Sequence, residues 1–173
     1  ITNADGSPIE GLGGVTVKEI AGVRIALIPV AQDTSPVVSS TGDLKFLPTV
    51  DTASAAAEKA REDGADLVVG VVQTDMSNDR ALIASHAFDL ILSGDDHSYA
   101  TAYDGITAYV ETSIDGQFLS PVDLMVTVEK KDGEREVSWF PAFRFIDTAA
   151  VAPDPETQAK VDELQKQLDD SLN

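Results

Sequence analysis

The period of the apolar positions changes along the chain, and those changes predict the order of its elements. Residues 1–14 are rich in Gly, Asn, Asp and Pro and read as a loop. Val15–Ile20 and Val23–Val30 are alternating or apolar runs separated by Ala21-Gly22, which predicts a hairpin. Residues 31–50 are rich in Ser, Thr, Pro and Gly around a small patch at Leu44, Phe46 and Leu47, and read as a long surface connection. Asp51 or Thr52 then caps a helix built on Ala53, Ala55, Ala56, Ala57 and Ala60, with Gly64 at its stop. Asp66–Val72 is apolar and β-branched, a buried strand. Gln73–Ser77 reads as a loop, Asn78 as the cap of a short helix to His86, and Asp89–Leu92 as a second buried strand. Helix–strand–helix–strand is the order of parallel βαβ packing.

After His97 the period shortens to two. Ala100–Tyr103 and Ile106–Thr112 flank Asp104-Gly105, a hairpin signal. Val122, Leu124, Val126 and Val128 alternate with Asp123, Met125, Thr127 and Glu129, Lys131-Asp132-Gly133 turns the chain, and Glu134–Phe145 runs back with Val137 and Trp139 on one face. A half-buried antiparallel sheet follows from that alternation. Pro153-Asp154-Pro155 opens a final helix whose apolar stripe is Val161, Leu164, Leu168 and Leu172, and such a stripe implies a packing partner. The fold class is α/β, a parallel βαβ core near residues 51–93 followed by an antiparallel sheet and a terminal helix.

The 173 residues suffice for one domain with a sizeable core. No apolar run approaches the length of a membrane span. A net charge of −18 disfavours nucleic acid and anionic membrane surfaces as partners. The arginines (Arg24, Arg61, Arg80, Arg135, Arg144) are scattered and form no basic patch in the sequence. Without cysteine, disulfides, zinc–thiolate sites and thiol catalysis are excluded.

Candidate chemistry concentrates in Asp89–Ser98, DLILSGDDHS, where a buried strand ends in Ser93-Gly94 and is followed by Asp95, Asp96 and His97. The carboxyl ends of strands are where α/β proteins usually place ligands. Asp95 and His97 are two apart and share one side of an extended segment, and carboxylate and imidazole both bind divalent metals. The same residues also suit a solvated acidic loop. Asp96 points the other way, toward solvent. Gln73 offers a carbonyl oxygen or simply closes a strand, His86 ends a helix, Asp79 suits a helix N-terminus, and Trp139 and Phe140 are core or interface residues.

The ordered set Thr74-Asp75-Met76, DLILSGDDHS and VAPDPETQAKVDELQKQLDDSLN resembles the binuclear metallophosphoesterases, in their 5′-nucleotidase and UDP-sugar hydrolase branch. That family has a Thr-His-Met strand end, a strand reading roughly Asp-x-Ile-x-Gly-Gly-His-x-His, and a Val-x-Pro-Asp-Pro passage into an interdomain helix. The resemblance spans nearly the whole chain and implies half of a metallophosphoesterase α/β/β/α sandwich. It makes residues 1–152 the C-terminal half of that domain and 153–173 an interdomain or terminal helix. The family's Asp-x-His, Gly-Asp and Gly-Asn-His motifs are absent, so the chain is expected to be a truncated, proteolytic or split portion that packs on a missing N-terminal half. Two family histidines fall at Asp75 and Asp95, and His97 keeps its type. The resemblance therefore implies Asp75, Asp95 and His97 as the ligands of a divalent metal, Mn²⁺, Mg²⁺, Ca²⁺ or Zn²⁺. Asp75 approaches from the neighbouring strand, because strands joined by one short helix lie adjacent and parallel. It implies a part of a metal-dependent phosphoester hydrolase acting on a nucleotide or another phosphoester, periplasmic or extracellular, inactive as this chain alone. The alternative is a degenerate, non-catalytic domain that binds a ligand or partner.

Overall fold

In a computed structural model describing residues 1–172, the alternating segments pair as the sequence predicts, with shifted ends. β1 (Thr16–Ile20) and β2 (Val23–Ala31) form the first hairpin, followed by a one-turn helix α1 (Ser35–Val38). Then come α2 (Thr49–Glu62), β3 (Leu67–Thr74), α3 (Met76–Ser85) and β4 (Leu90–Asp95). The second half consists of β5 (Tyr99–Tyr103), β6 (Ala108–Thr112), β7 (Phe118–Leu119), β8 (Val122–Lys131), β9 (Glu134–Phe143), β10 (Ile146–Asp147), a 3₁₀ turn at Thr148–Ala150, and α4 (Pro155–Leu172).

The main sheet has the order β1-β2-β3-β4-β6-β5, with β2, β3, β4 and β6 parallel and an antiparallel strand at each edge. It is a mixed α/β fold around a mostly parallel core. Both βαβ crossovers step the same way along the sheet, so right-handed connections put α2 and α3 on one face. There Ala53, Ala57 and Ala60 let α2 approach the sheet closely, over Ala26, Ile28 and Val68. Phe88 lies fully buried against Gly70, where an added Cβ would sit 3.2 Å from the Phe88 ring and crowd it. The other face buries Val69, Leu90 and Ala108 beneath Leu124, Trp139 and Phe143 of the β8–β9 ribbon. That ribbon turns at Asp132-Gly133, both at positive φ, as a two-residue hairpin demands. The cover is incomplete: Leu12 and Val71 remain exposed, and an apolar trough of about 480 Å³ opens between the amino-terminal loop and Pro29 and Val71.

Four sequence readings need correction. Helix α2 begins at Thr49 after Pro48, earlier than Asp51 or Thr52; Thr49 is buried and its hydroxyl accepts the Asp33 amide at 2.9 Å. Strand β3 continues through Gln73 and Thr74, and β4 through Asp95, because the two stay in register to the pair Thr74↔Asp95. Helix α3 starts at Met76 with Asp75 as its N-cap; Asn78 donates to that cap and does not form it. The β5–β6 hairpin is part of the main sheet: Ala108–Glu111 are all buried, and β6 inserts between β4 and β5. The expected apolar stripe of α4 is present, but Val161, Leu164 and Leu168 are each about half exposed, and no described residue of this helix is buried. No helix among the described residues is long and apolar enough to cross a membrane.

Candidate functional site

The carboxyl ends of β3 and β4 are register neighbours, so the loops that follow them stand side by side. The Met76 amide at the start of α3 donates to the Asp96 carboxylate across the gap, joining the two loops directly. Asp96 is therefore a second acceptor for the helix N-terminus rather than a residue spent on solvent alone. The other acceptor is Asp75, which takes the Asn78 amide at 2.8 Å. Both carboxylates fall where unpaired amides and the helix dipole favour negative charge. The Asp75 amide in turn donates to Gln32 Oε1 at 3.0 Å, tying in the loop after β2.

Asp95 closes β4 at φ 127°, and its Oδ1 accepts from Gln73 Nε2 at 2.6 Å. His97 stands at φ 58° and is exposed. Side chains other than glycine rarely adopt such conformations, and they persist when neighbouring contacts impose them. Asp75, Asp95 and His97 thus stand at or just beyond the neighbouring ends of β3 and β4. They do not form a ready-made cradle: among the described residues no group of three or more His, Asp or Glu side chains comes together to hold a metal ion. By themselves these residues do not fit the divalent centre that the resemblance implies, and no chemical step is derived through one.

Beneath this edge lies a buried polar network that the sequence reading missed. Asp79, in the first turn of α3, accepts from the Thr74 hydroxyl, from Ser93 Oγ at 2.7 Å and from Tyr109 Oη at 2.8 Å. Glu111 accepts the Ser98 amide at 3.1 Å and contacts Tyr109 Oη at 3.0 Å. Burial first, then Asp79, pushes the Tyr109 hydroxyl above its ordinary range. The signal was available in the strand phase. Thr74, Ser93 and Glu111 occupy the inward positions that continue Val72, Ile91 and Tyr109, so three adjacent strands each end in a polar inward residue.

At the opposite edge, Asp89 accepts from Val68 N at 2.7 Å, Arg61 Nη2 at 2.9 Å and Trp139 Nε1 at 3.1 Å. Trp139 thus packs half-buried against the core with a polar anchor.

No family model matches the chain, and no curated protein matches it at the level of sequence. Solved structures do match its fold. Sulfate thiohydrolase SoxB of Thermus thermophilus is 24% identical with a TM-score of 0.69, over 88% of this chain and 28% of its own. A Staphylococcus aureus protein assigned as a 5′-nucleotidase is 16% identical with a TM-score of 0.58, over 95% of this chain and 34% of its own. The NAD nucleotidase NadN of Haemophilus influenzae is 14% identical with a TM-score of 0.53, over 88% of this chain and 36% of its own. The chain shares the fold of a part of these proteins and spans about a third of their length.

Proposed function

We propose that this chain is one portion of a phosphoester hydrolase of 5′-nucleotidase type, supplying half of an α/β/β/α sandwich and one wall of its active-site crevice. The shared fold with SoxB, NadN and the Staphylococcus protein carries this reading, since it extends over at least 88% of the chain. The incompletely covered sheet face and its apolar trough support a second layer packed there, the N-terminal half of the domain. Asp95 and His97, with Asp75 beside them, are what this portion brings toward a divalent cation (Mn²⁺, Mg²⁺, Ca²⁺ or Zn²⁺). The remaining donors come from the other half. The substrate is a nucleotide or related phosphoester, and the setting periplasmic or extracellular.

The chain alone is catalytically silent in this reading, because a working two-metal centre needs several ligands per ion and a clamp on both reacting oxygens. The test is turnover of a nucleotide by the purified chain with Mn²⁺ or Zn²⁺, where none is expected. Steady turnover abolished by a chelator and by His97→Ala would overturn it. A second reading, a non-catalytic ligand- or partner-binding domain, is favoured by one observation: Asp75 and Asp96 already serve as helix caps.

A further inference from the structure

Two carboxyl groups are buried beneath the ends of β3, β4 and β6, and one phenol stands between them. Asp79 is 2% exposed and Glu111 1%. Tyr109 Oη lies 2.8 Å from Asp79 Oδ2 and 3.0 Å from Glu111 Oε2. A phenol has a single proton to donate. Burial, with the Asp79 carboxylate next, keeps that proton in place. Tyr109 therefore donates to one carboxyl and accepts from the other, and the second contact requires a carboxyl proton.

The remaining donors decide where that proton sits. Asp79 receives the Thr74 hydroxyl at Oδ1 and the Ser93 hydroxyl at Oδ2; with Tyr109, three hydroxyls converge on it, a set that favours an anion. Glu111 receives one other donor, the Ser98 amide, at Oε1, and its Oε2 faces Tyr109. No lysine or arginine forms an ion pair with either carboxyl among the described residues. Two unpaired buried anions one hydroxyl apart would be far costlier than one.

We infer that Glu111 is a neutral carboxylic acid in the folded protein, donating to Tyr109, which donates to Asp79, and that it positions the Asp95–His97 loop by holding the Ser98 amide. The chain of donors runs Glu111 Oε2–H to Tyr109 Oη, then Tyr109 O–H to Asp79, where the charge resides. Glu111 acts on the crevice only through Ser98, so it is a positioning residue. This arrangement goes beyond the phosphoester reading and stands without it.

Amide isosteres distinguish an acid from its anion. In Glu111→Gln the amide nitrogen donates to Tyr109 and the amide oxygen still accepts from Ser98. The thermal midpoint is expected within about 2 °C of the parent. In Asp79→Asn an NH₂ group faces hydroxyl donors, and the midpoint is expected to fall by more than roughly 5 °C. Glu111→Ala is expected to speed hydrogen exchange at the Ser98 amide, and Gln to restore it. Infrared spectra of the parent at neutral pH are expected to show a protonated-carboxyl carbonyl stretch that disappears in Glu111→Gln. Absence of that band, its survival in Glu111→Gln, or a large loss of stability in Glu111→Gln would overturn the assignment. If Asp79→Asn does not fold, the band and the Glu111→Gln midpoint still decide.

Discussion

Replacing Asp75 separates a helix cap from a metal ligand. Its Oδ1 accepts the Asn78 amide at 2.8 Å, and α3 is only 10 residues long, so this bond serves one of few organised amides at the helix start. Loss of such a cap costs about 1 kcal/mol, and loss of a carboxylate beside the helix dipole a further ~0.3–1 kcal/mol. Asp96 still holds the Met76 amide, so the end does not unravel completely. Asp75→Ala is therefore expected to lower the unfolding free energy by about 1–2 kcal/mol, equivalent to roughly 2–8 °C in a chain of this size. Asp75→Ser keeps a capping oxygen and should recover the cap contribution, leaving a deficit of about 0.5 kcal/mol that fades with added salt. Urea denaturation followed by circular dichroism, in chelator and at two ionic strengths, measures all three proteins. If Ser proves as damaging as Ala, or if Ala changes nothing, the capping account of Asp75 is wrong.

Three further outcomes follow from the same structure. Asp89→Ala orphans the buried Val68 amide and releases Arg61 and Trp139, so urea unfolding should show a loss of about 3 kcal/mol. Truncation before Pro155 should leave the midpoint within about 2 °C, since no described residue of α4 is buried; a large drop in scanning calorimetry would show that the helix stabilises the sheet. The backbone amides of Thr107 and Ile106, then His86, hold Asp104 down to about 2, below its ordinary value. A depressed carboxylate contributes stability above its unfolded value, near 4, and that stability is lost as pH falls toward about 2. Urea midpoints measured from neutral pH downward should therefore decline less steeply in that window for Asp104→Asn.

The order of elements was legible because it rests on period. Ala53, Ala57 and Ala60 recur at helical spacing under the sheet, and Val122, Leu124 and Val126 alternate along β8. Element ends were less legible, because tertiary partners move them. Thr49 joins α2 by accepting the Asp33 amide, and Thr74 extends β3 because its buried hydroxyl has Asp79 to meet. Membership of β6 in the main sheet was hidden for a related reason: Tyr109 and Glu111 look like half of a local hairpin until β4 is placed beside them. The candidate site was half legible. The adjacency of the Asp75 and Asp95 loops follows from two strands joined by a short helix, whereas Asp79 looked like one more acidic residue of a helix start. Its value depends on three hydroxyls from three strands, a coincidence that no single segment records.

The geometry of the Asp95–Ser98 loop is imposed on it from two sides. From α3, the Met76 amide holds Asp96; from β6, Glu111 holds the Ser98 amide; from β3, Gln73 holds Asp95. Left to themselves, Asp95 and His97 would not choose φ values of 127° and 58°, and each such departure costs about 1–3 kcal/mol. The surrounding hydrogen bonds offset that cost, so the loop is both strained and fixed. The Asp95 and Asp96 carboxylates and the Ser98 amide are thereby committed to the scaffold. The imidazole of His97 is exposed and is free of the scaffold hydrogen bonds that hold the Asp95 and Asp96 carboxylates. On the proposed reading, a ligand reaching this edge is expected to meet the exposed His97 first, because Asp75 is already engaged by α3 and Asp95 by Gln73.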